Sequence, residues 1–199
     1  MTKQNHIDLL CKALIELRST PLYDFRIQNS YFPVIGEGSL DTKILIVGEA
    51  PGKNEAESGK PFCGKSGKIL DDVLLQAGLD RQQIYITNIV KDRPPENRDP
   101  SSAEIEAYAP FLDRQIEIIK PEVLITLGRI SMGYILHRYC GIDHAPTISQ
   151  VHGQTFSAQT KDGYHFTVIP MFHPAATIYN KESRSALYTD MKKVVSLVV

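Results

Sequence analysis

Four short runs of mostly apolar residues recur along this chain, and segments with helical character separate them. The runs are residues 43–47 (KILIV), 84–90 (IYITNIV), 122–127 (EVLITL) and 166–171 (FTVIPM). Near-continuous apolar runs of this length are typical of strands buried on both faces of a parallel sheet. Such strands alternating with helices predict an α/β fold, a three-layer α/β/α sandwich with a mostly parallel central sheet.

The segments between these runs carry signals for helices and loops. Gly78 suits the C-terminal cap of one helix, Ser101 or Ser102 suits the N-terminal cap of another, and Glu104 lies near that second helix's positive end. Helices are predicted over residues 7–17, 68–77, 103–119, 131–139 and 183–197. Loops are predicted over residues 21–38, 48–67 and 92–100, which are rich in glycine, proline or aromatic residues.

The length and composition limit the class of protein. A chain of 199 residues holds one domain with a full core, so a single domain over residues 1–199 is predicted. Its 42% hydrophobic and 23% charged residues are typical of a globular protein, and no apolar run approaches the ~20 residues that span a bilayer. With no signal-peptide pattern at the N-terminus, we expect a cytoplasmic, monomeric protein without a membrane partner.

Charge and cysteine content give no direct sign of a ligand. The formal net charge of −1 provides no overall attraction to nucleic acid, so a DNA-binding protein of this composition must concentrate its cations locally. Cys11, Cys63 and Cys140 are far apart and form no CxxC pair, which favours free thiols over a zinc or iron–sulfur site. No metal and no cofactor are predicted.

Polar residues follow three of the predicted strands directly. They lie in residues 48–52 (GEAPG), 87–88 (TN) and 173–175 (HPA). Each of them alone also suits a helix cap or a backbone contact. Because ligands of open α/β sheets collect at the carboxyl ends of the strands, the three segments together indicate one binding site.

One loop matches the Walker A pattern of ATP-binding proteins letter for letter. It spans residues 59–66 (GKPFCGKS). A P-loop leaves a buried strand directly, whereas the six residues before Gly59 are the polar stretch KNEAES, and Pro61 stiffens the loop. ATP hydrolysis is therefore disfavoured, and backbone N–H groups at the start of the following helix suit DNA phosphates equally well.

In their order along the chain, these segments resemble the uracil-DNA glycosylase superfamily, most closely its family 4. The matching segments are residues 48–52 (GEAPG), 59–67 (GKPFCGKSG), 85–90 (YITNIV), 91–98 (KDRPPENR), 120–128 (KPEVLITLG) and 173–175 (HPA). The Walker A match is then the family's GxPFxGxSG loop. The resemblance implies a glycosylase of base excision repair that flips uracil out of DNA and hydrolyses its N-glycosidic bond.

The chain departs from the family at two places. Family 4 enzymes carry a four-cysteine iron–sulfur cluster, whereas the aligned positions here are Leu17, Thr20, Asp92 and Tyr108, so no cluster is expected. The family often has an arginine soon after HPA, where this chain has Tyr179 and Asn180. A glycosylase for another deaminated base, hypoxanthine or xanthine, and a catalytically silent nucleic-acid-binding homologue therefore remain alternatives.

The resemblance implies roles for individual residues. Glu49 is the expected catalytic carboxylate, which stabilises the sugar cation and orients the attacking water, and Glu55 is a secondary candidate. His173 is expected to donate to uracil O2 as negative charge grows on the departing base, with the imidazole either neutral or charged. Phe62 is expected to stack on the flipped base, and Asn88 to pair with uracil O4 and N3–H.

Two further groups of residues complete the predicted site. Ala50 and Pro51 are the expected wall against the thymine methyl group, and Gly52 adjoins them in the substrate-binding loop. Cationic and polar residues of two loops are expected either to hold DNA phosphates or to form a solvated charged surface. They are Lys60, Lys65 and Ser66 in one loop and Lys91, Arg93 and Arg98 in the other.

Overall fold

Six strands form one mixed sheet in the order β1-β3-β2-β4-β6-β5 in the computed structural model, which describes residues 1–198. The strands are β1 (Glu37–Gly38), β2 (Ile44–Gly48), β3 (Tyr85–Asn88), β4 (Val123–Leu127), β5 (Phe156–Gln159) and β6 (His165–Met171). The four inner strands are parallel, and β1 and β5 pair antiparallel at the two edges. The prediction of a mostly parallel sheet is confirmed.

Helices cover both faces of the sheet. They are α1 (Lys3–Glu16), α2 (Tyr23–Gln28), α3 (Lys53–Ser58), α4 (Lys65–Gln76), α5 (Ser102–Ile119), α6 (Arg129–Cys140), α7 (Ile148–Val151) and α8 (Lys181–Val198). Apolar side chains of α4 and α8 pack on one face, and those of α5 and α6 pack on the other. The three-layer α/β/α sandwich is therefore also confirmed.

Strand register places the carboxyl ends of the inner strands at one edge of the sheet. Gly48 at the end of β2 pairs with Asn88 at the end of β3, and Leu127 of β4 pairs with Met171 of β6. Every residue of β2, β3 and β4 is buried, because helices cover the sheet on both sides. The loops that leave these strand ends therefore meet above a rigid base.

Helix α5 begins where local chemistry predicts. Ser101 is the N-cap of α5, and with Glu104 it forms a capping box in which each side chain accepts from the other residue's backbone N–H. Glu104 is buried and also accepts two hydrogen bonds from the Arg98 guanidinium. The cap therefore fixes both the start of α5 and the end of the loop before it.

Some elements differ from the sequence prediction. The predicted loop over residues 21–38 contains α2 and the two-residue β1, and the predicted loop over residues 48–67 contains α3. Strand β5 and helix α7 have no counterpart among the predicted elements. Gly59 follows α3 and not a strand, so the Walker A-like segment lacks the strand that a P-loop requires.

The N-terminal segment, residues 1–36, packs on the outside of α5 and on the loop after β3. Leu14, Leu22, Val90 and Tyr108 form a small apolar cluster of their own there. Within residues 1–198, no helix is long and apolar enough to cross a membrane.

Candidate active site

A cleft of about 480 Å³ opens at the carboxyl edge of the sheet. Most of the residues that the sequence singled out line this cleft. They are Glu49, Ala50, Pro51, Gly52, Glu55, Phe62, Lys65, Ser66, Asn88, Arg98 and His173. The three strand-end segments therefore do converge, together with the loop that resembles Walker A.

Gly48 and Gly128, at the ends of two strands, leave space for neighbouring side chains of the cleft. A Cβ at Gly48 would lie 2.3 Å from Asn88 Oδ1 and 2.7 Å from the Phe62 ring. A Cβ at Gly128, where φ is +93°, would lie 3.1 Å from the His173 Cβ. Because both strand ends lack a side chain, Asn88, Phe62 and His173 approach one another closely.

Phe62 is held in an unusual backbone conformation. Its φ is +49°, in the left-handed region that non-glycine residues rarely adopt. A Cβ at Gly67 would lie 1.8 Å from the Phe62 carbonyl oxygen, so the loop folds tightly on the first turn of α4. The Phe62 ring lies 5.8 Å from the His173 ring between centroids, and it forms an aromatic wall of the cleft.

Glu55 holds in place the loop of residues 59–64 that carries Phe62, the aromatic loop. Its Oε1 accepts hydrogen bonds from the backbone N–H groups of Cys63, at 3.0 Å, and Gly64, at 2.8 Å. Gly64 is the N-cap of α4 and provides no side chain, so the Glu55 carboxylate also lies at the positive end of that helix. These contacts indicate that Glu55 positions Phe62.

Glu49 lies half-buried in the cleft, and neither of its carboxylate oxygens makes a hydrogen bond within the described part of the chain. The pKa of Glu49 is raised to about 7, chiefly by burial and also by the Asp99 carboxylate, while the Arg129 guanidinium acts in the opposite direction. The group therefore titrates near neutral pH, where a carboxylate is able to accept a proton from water.

His173 has the opposite shift. Burial lowers the pKa of His173 to about 4, although the Glu55 carboxylate acts in the other direction, so the ring is neutral at physiological pH. Its Nδ1 accepts a hydrogen bond from the Ala175 backbone N–H at 3.2 Å. A neutral ring with an accepting Nδ1 carries its proton on Nε2, which is left as a donor towards the cleft.

Asn88 is buried at the end of β3, and Lys91 holds its backbone in place by hydrogen bonding. The Lys91 Nζ donates to the Asn88 backbone carbonyl at 2.6 Å, to Gln115 Oε1 at 2.6 Å and to Thr87 Oγ1 at 2.8 Å. Gln115 in turn donates to the Ile35 carbonyl at 2.7 Å. The amide of Asn88 makes no hydrogen bond with residues 1–198 and points into the cleft.

The assignment of Lys91 to DNA phosphate is therefore corrected. Lys91 is 0% exposed, and burial lowers its pKa well below the usual value. The three groups within hydrogen-bond distance of its Nζ are all neutral. A side chain enclosed in this way cannot reach a phosphate on the surface, and it instead fixes the backbone that carries Asn88.

Of the other predicted phosphate ligands, some line the cleft and others lie outside its lining. Lys65 and Ser66 lie at the first turn of α4 and line the cleft, and Arg98 also lines it while paired with Glu104. Arg93 lies behind the rim, where it donates to the Tyr31 hydroxyl and to Asn97. Lys60 is exposed beside Glu37 and does not line the cleft.

Several lining residues were not found by sequence reasoning. They are Lys53, Asn54, Gly64, Pro94 and Asn97, whereas Ala175 belongs to the predicted segment 173–175. Asn97 has a positive φ of +54° and follows Glu96 at +56°, which signals a tight loop that a pair of prolines precedes. For Asn54, the available signal was its position in the sequence, because it lies close to a predicted site residue along the chain.

No group of three or more His, Cys, Asp or Glu side chains among residues 1–198 is arranged to hold a metal ion. The cleft brings together a carboxylate, a neutral imidazole, an amide and an aromatic ring. These groups suit a planar polar ligand and a reaction in which charges of both signs develop.

Comparisons with known proteins give a consistent result. The sequence model of the uracil DNA glycosylase superfamily matches residues 35–195. A type-4 uracil-DNA glycosylase of Sulfurisphaera tokodaii is 40% identical over 194 residues, 97% of this chain and 85% of that protein. One from Saccharolobus solfataricus is 40% identical over 191 residues, 96% and 85% of the two chains. One from Thermotoga maritima is 33% identical over 199 residues, 99% and 97% of the two chains.

Proposed function

Because this chain belongs to the uracil DNA glycosylase superfamily, we propose that it excises uracil from DNA by hydrolysing the N-glycosidic bond. The family resemblance that the sequence motifs indicated is thereby confirmed. The observation that carries the proposal is the meeting of Glu49, Asn88 and His173 beside the Phe62 ring in one cleft. The named relatives favour uracil over other deaminated bases.

Recognition of the base is proposed to use Phe62 and Asn88. Once the nucleotide has turned out of the duplex, the base stacks on the Phe62 ring, whose loop Glu55 holds in place. The amide of Asn88, which lacks a protein partner within residues 1–198, pairs with uracil O4 and N3–H. Ala50, Pro51 and Gly52 line the cleft nearby and form the proposed wall against a thymine methyl group.

His173 is proposed to assist departure of the base. The neutral imidazole donates from Nε2 to uracil O2, where negative charge grows as the bond breaks. The hydrogen bond from the Ala175 N–H to Nδ1 favours this tautomer, and the lowered pKa keeps the ring neutral. Because the ring is neutral, it stabilises the developing anion through this hydrogen bond alone.

Glu49 is proposed to act on the sugar. Its carboxylate stabilises the oxocarbenium-like sugar and accepts a proton from the water that attacks the anomeric carbon. With a pKa of about 7, the group is close to half ionised at neutral pH. Excision that depends on the carboxylate therefore rises with pH through this range.

DNA is proposed to bind across the mouth of the cleft. Lys65, Ser66 and Arg98 line it and are placed to contact phosphates, with Arg93 and Lys60 further out. Contacts of this kind make affinity fall as salt rises. The protein is proposed to act as a single-domain, cytoplasmic monomer on DNA that contains a deaminated base.

One assay tests the function. The purified protein is incubated with single- and double-stranded oligonucleotides that carry one uracil, hypoxanthine or xanthine, with EDTA present, and abasic sites are measured. The double variant Glu49→Gln/His173→Ala, purified in the same way, is the control that sets the upper limit for a contaminating glycosylase. We expect uracil to be removed fastest; excision of hypoxanthine or xanthine alone, or none in the wild type, would contradict the proposal.

A further inference from the structure

A buried polar cluster lies where the sequence departs from its family. Thr20, Asp92 and Tyr108, three of the four positions aligned with cluster cysteines, are all buried, and Arg26 is buried with them. Asp92 Oδ2 accepts a hydrogen bond from the Tyr108 hydroxyl at 2.6 Å, and Asp92 Oδ1 faces Arg26 at 3.4 Å. These contacts join the N-terminal segment, the loop after β3 and helix α5.

The residues at these positions do not fit an iron–sulfur cluster. Leu17 offers no ligand atom, and the other three side chains offer only oxygen in place of thiolate sulfur. Both Asp92 oxygens already have partners, and one of these partners is a guanidinium cation, which repels a metal ion from the same space. Cys11, Cys63 and Cys140 are free and lie on α1, in the aromatic loop and at the end of α6.

Arg26 ties this cluster to the end of α1. Its guanidinium donates to the Leu14 carbonyl at 3.3 Å and to the Ile15 carbonyl at 3.0 Å, both in the last turn of that helix. A cation at a helix C-terminus satisfies carbonyls that lack intrahelical partners and interacts favourably with the helix dipole. Arg26 also lies over the Tyr23 ring, 5.2 Å from its centroid.

The same segment contacts both loops of the cleft. The Val34 N–H donates to the Lys91 carbonyl at 2.8 Å, and the Phe32 N–H donates to the Ala56 carbonyl at 2.8 Å. Arg93, next to Asp92, donates to the Tyr31 hydroxyl at 2.7 Å. The buried cluster is therefore the anchor of a segment that supports the loop after β3 and helix α3 from outside.

We propose that Arg26, Asp92 and Tyr108 form a metal-free brace that takes the structural place of the family's iron–sulfur cluster. The brace links the same segments of the chain through an ion pair and hydrogen bonds instead of metal–sulfur bonds. The proposal concerns what holds the fold, so it is tested by iron content and unfolding, and its failure is distinguishable from failure of base excision.

The first experiment measures metal. The protein is produced in cells supplied with iron, purified anaerobically without chelator, and assayed for iron and acid-labile sulfide. We expect neither in stoichiometric amount, and no change in melting temperature after treatment with ferricyanide and EDTA. Stoichiometric iron and sulfide, or a large loss of stability on this treatment, would overturn the proposal.

The second experiment is a thermal-unfolding double-mutant cycle. Removing one member of a buried ion pair leaves the other charge unpaired, so Arg26→Met and Asp92→Asn are each expected to lower the melting temperature by roughly 6–20 °C. The double variant Arg26→Met/Asp92→Asn is expected to lose clearly less than the sum of the two single losses. Strictly additive losses would contradict a brace.

An exposed ion pair provides the matched control. Arg114 and Glu117 on the surface of α5 are closer together, at 2.8 Å, than Arg26 and Asp92. Because solvent screens them, Arg114→Met and Glu117→Gln are expected to shift the melting temperature by only about 0–4 °C. Losses there as large as those at Arg26 would mean that burial is not what gives the brace its strength.

Tyr108→Phe keeps the proposal testable if the charge variants fail to fold. It retains the buried ring and removes one hydrogen bond to a carboxylate, so a loss of roughly 2–10 °C is expected. An unchanged melting temperature in this variant would show that the Tyr108 hydroxyl has no part in a brace.

Discussion

The cleft and the brace are two polar clusters that lie close together along the chain. Only residues 89–91 separate Asn88 of the cleft from Asp92 of the brace, yet the polar atoms of the two clusters differ in their hydrogen bonding. In the brace, the Asp92 carboxylate has a partner on each oxygen. In the cleft, neither the Glu49 carboxylate nor the Asn88 amide makes a hydrogen bond with residues 1–198. Although Thr20 Oγ1 beside the brace is buried without a hydrogen-bond partner among residues 1–198, the Asp92 carboxylate is saturated by the protein, and the Glu49 carboxylate and the Asn88 amide are open to a ligand.

This difference separates structural from functional polar residues better than residue type does. Buried polar groups in folded proteins are normally paired, because an unpaired one is destabilising. In a paired cluster such as the brace, removing one member leaves its partner buried and unpaired and so destabilises the fold, whereas a group of partly buried polar atoms without partners indicates a site that a ligand completes. Substitutions in the two clusters should therefore affect different measurements.

The largest effects are expected on the rate of base removal. Glu49→Gln and His173→Ala should each reduce single-turnover uracil excision by roughly 10²-fold or more, because both act on charges that develop only in the transition state. Binding of uracil-containing DNA should stay close to that of the wild type. His165→Ala is the matched control, since His165 is exposed at the other end of β6. Near wild-type rates in either cleft variant would remove that residue from the mechanism.

A smaller effect is expected on the choice of base. Asn88→Asp places an acceptor opposite uracil O4, and each unpaired or opposed polar group costs about 1–3 kcal/mol. Uracil excision should fall at least about tenfold, and the ratio of uracil to cytosine excision should fall with it or activity should vanish. Asn97→Asp, in the exposed loop at the rim, should leave the ratio unchanged. Full uracil activity with an unchanged ratio in Asn88→Asp would mean that Asn88 does not contact the base.

Lys91 lies between the two clusters and should affect both measurements. Lys91→Met leaves the Asn88 carbonyl, Gln115 Oε1 and Thr87 Oγ1 without their donor. We expect a melting temperature lower by roughly 4–12 °C and excision slowed by about tenfold through displacement of Asn88. Lys60→Met, at an exposed position, should change neither stability nor single-turnover rate at saturating protein. A stable Lys91→Met protein with normal rates would show that Lys91 does not position Asn88.

The smallest effect concerns the stability of the cleft itself. The folded-state pKa of Glu49, about 7, lies above its ordinary value of 4.5, so folding favours the protonated form and stability declines as pH rises from about 4.5 through 7. Gln imitates the protonated group, so Glu49→Gln should melt about 2–4 °C above the wild type at pH 8 and together with it at pH 4.5. Glu57→Gln, an exposed control on α3, should show no such pH dependence. A higher melting temperature at pH 4.5 only would reverse the sign and contradict the burial of Glu49.

The sheet and the composition of the cleft could be read from the sequence because their signals are local. Residues 44–47 are apolar throughout, since both faces of β2 are covered, and the polar residues of the site follow their strands directly. The weak elements lacked such signals. Strand β5 is an edge strand with only Ala158 fully buried, so its four residues show little apolar character.

The brace and the burial of Lys91 could not be predicted because each depends on contacts between distant parts of the chain. Arg26 meets Asp92 across 66 positions of sequence, and Gln115 lies 24 positions from Lys91. In the sequence Lys91 is one of several cations in a proline-rich loop, and nothing local distinguishes it from Arg93 or Arg98. Only the fold shows that one of them points inward.

The two hydrogen bonds from the aromatic loop to Glu55 also affect how quickly the protein can capture a base that has left the duplex. Because the Cys63 and Gly64 N–H groups are already engaged in the free protein, the conformational entropy of this loop is lost during folding and not on each encounter with DNA. On the proposal that an extruded base stacks on Phe62, the base meets a surface that needs no rearrangement. Capture of the base should then be fast compared with the short time that it spends outside the duplex.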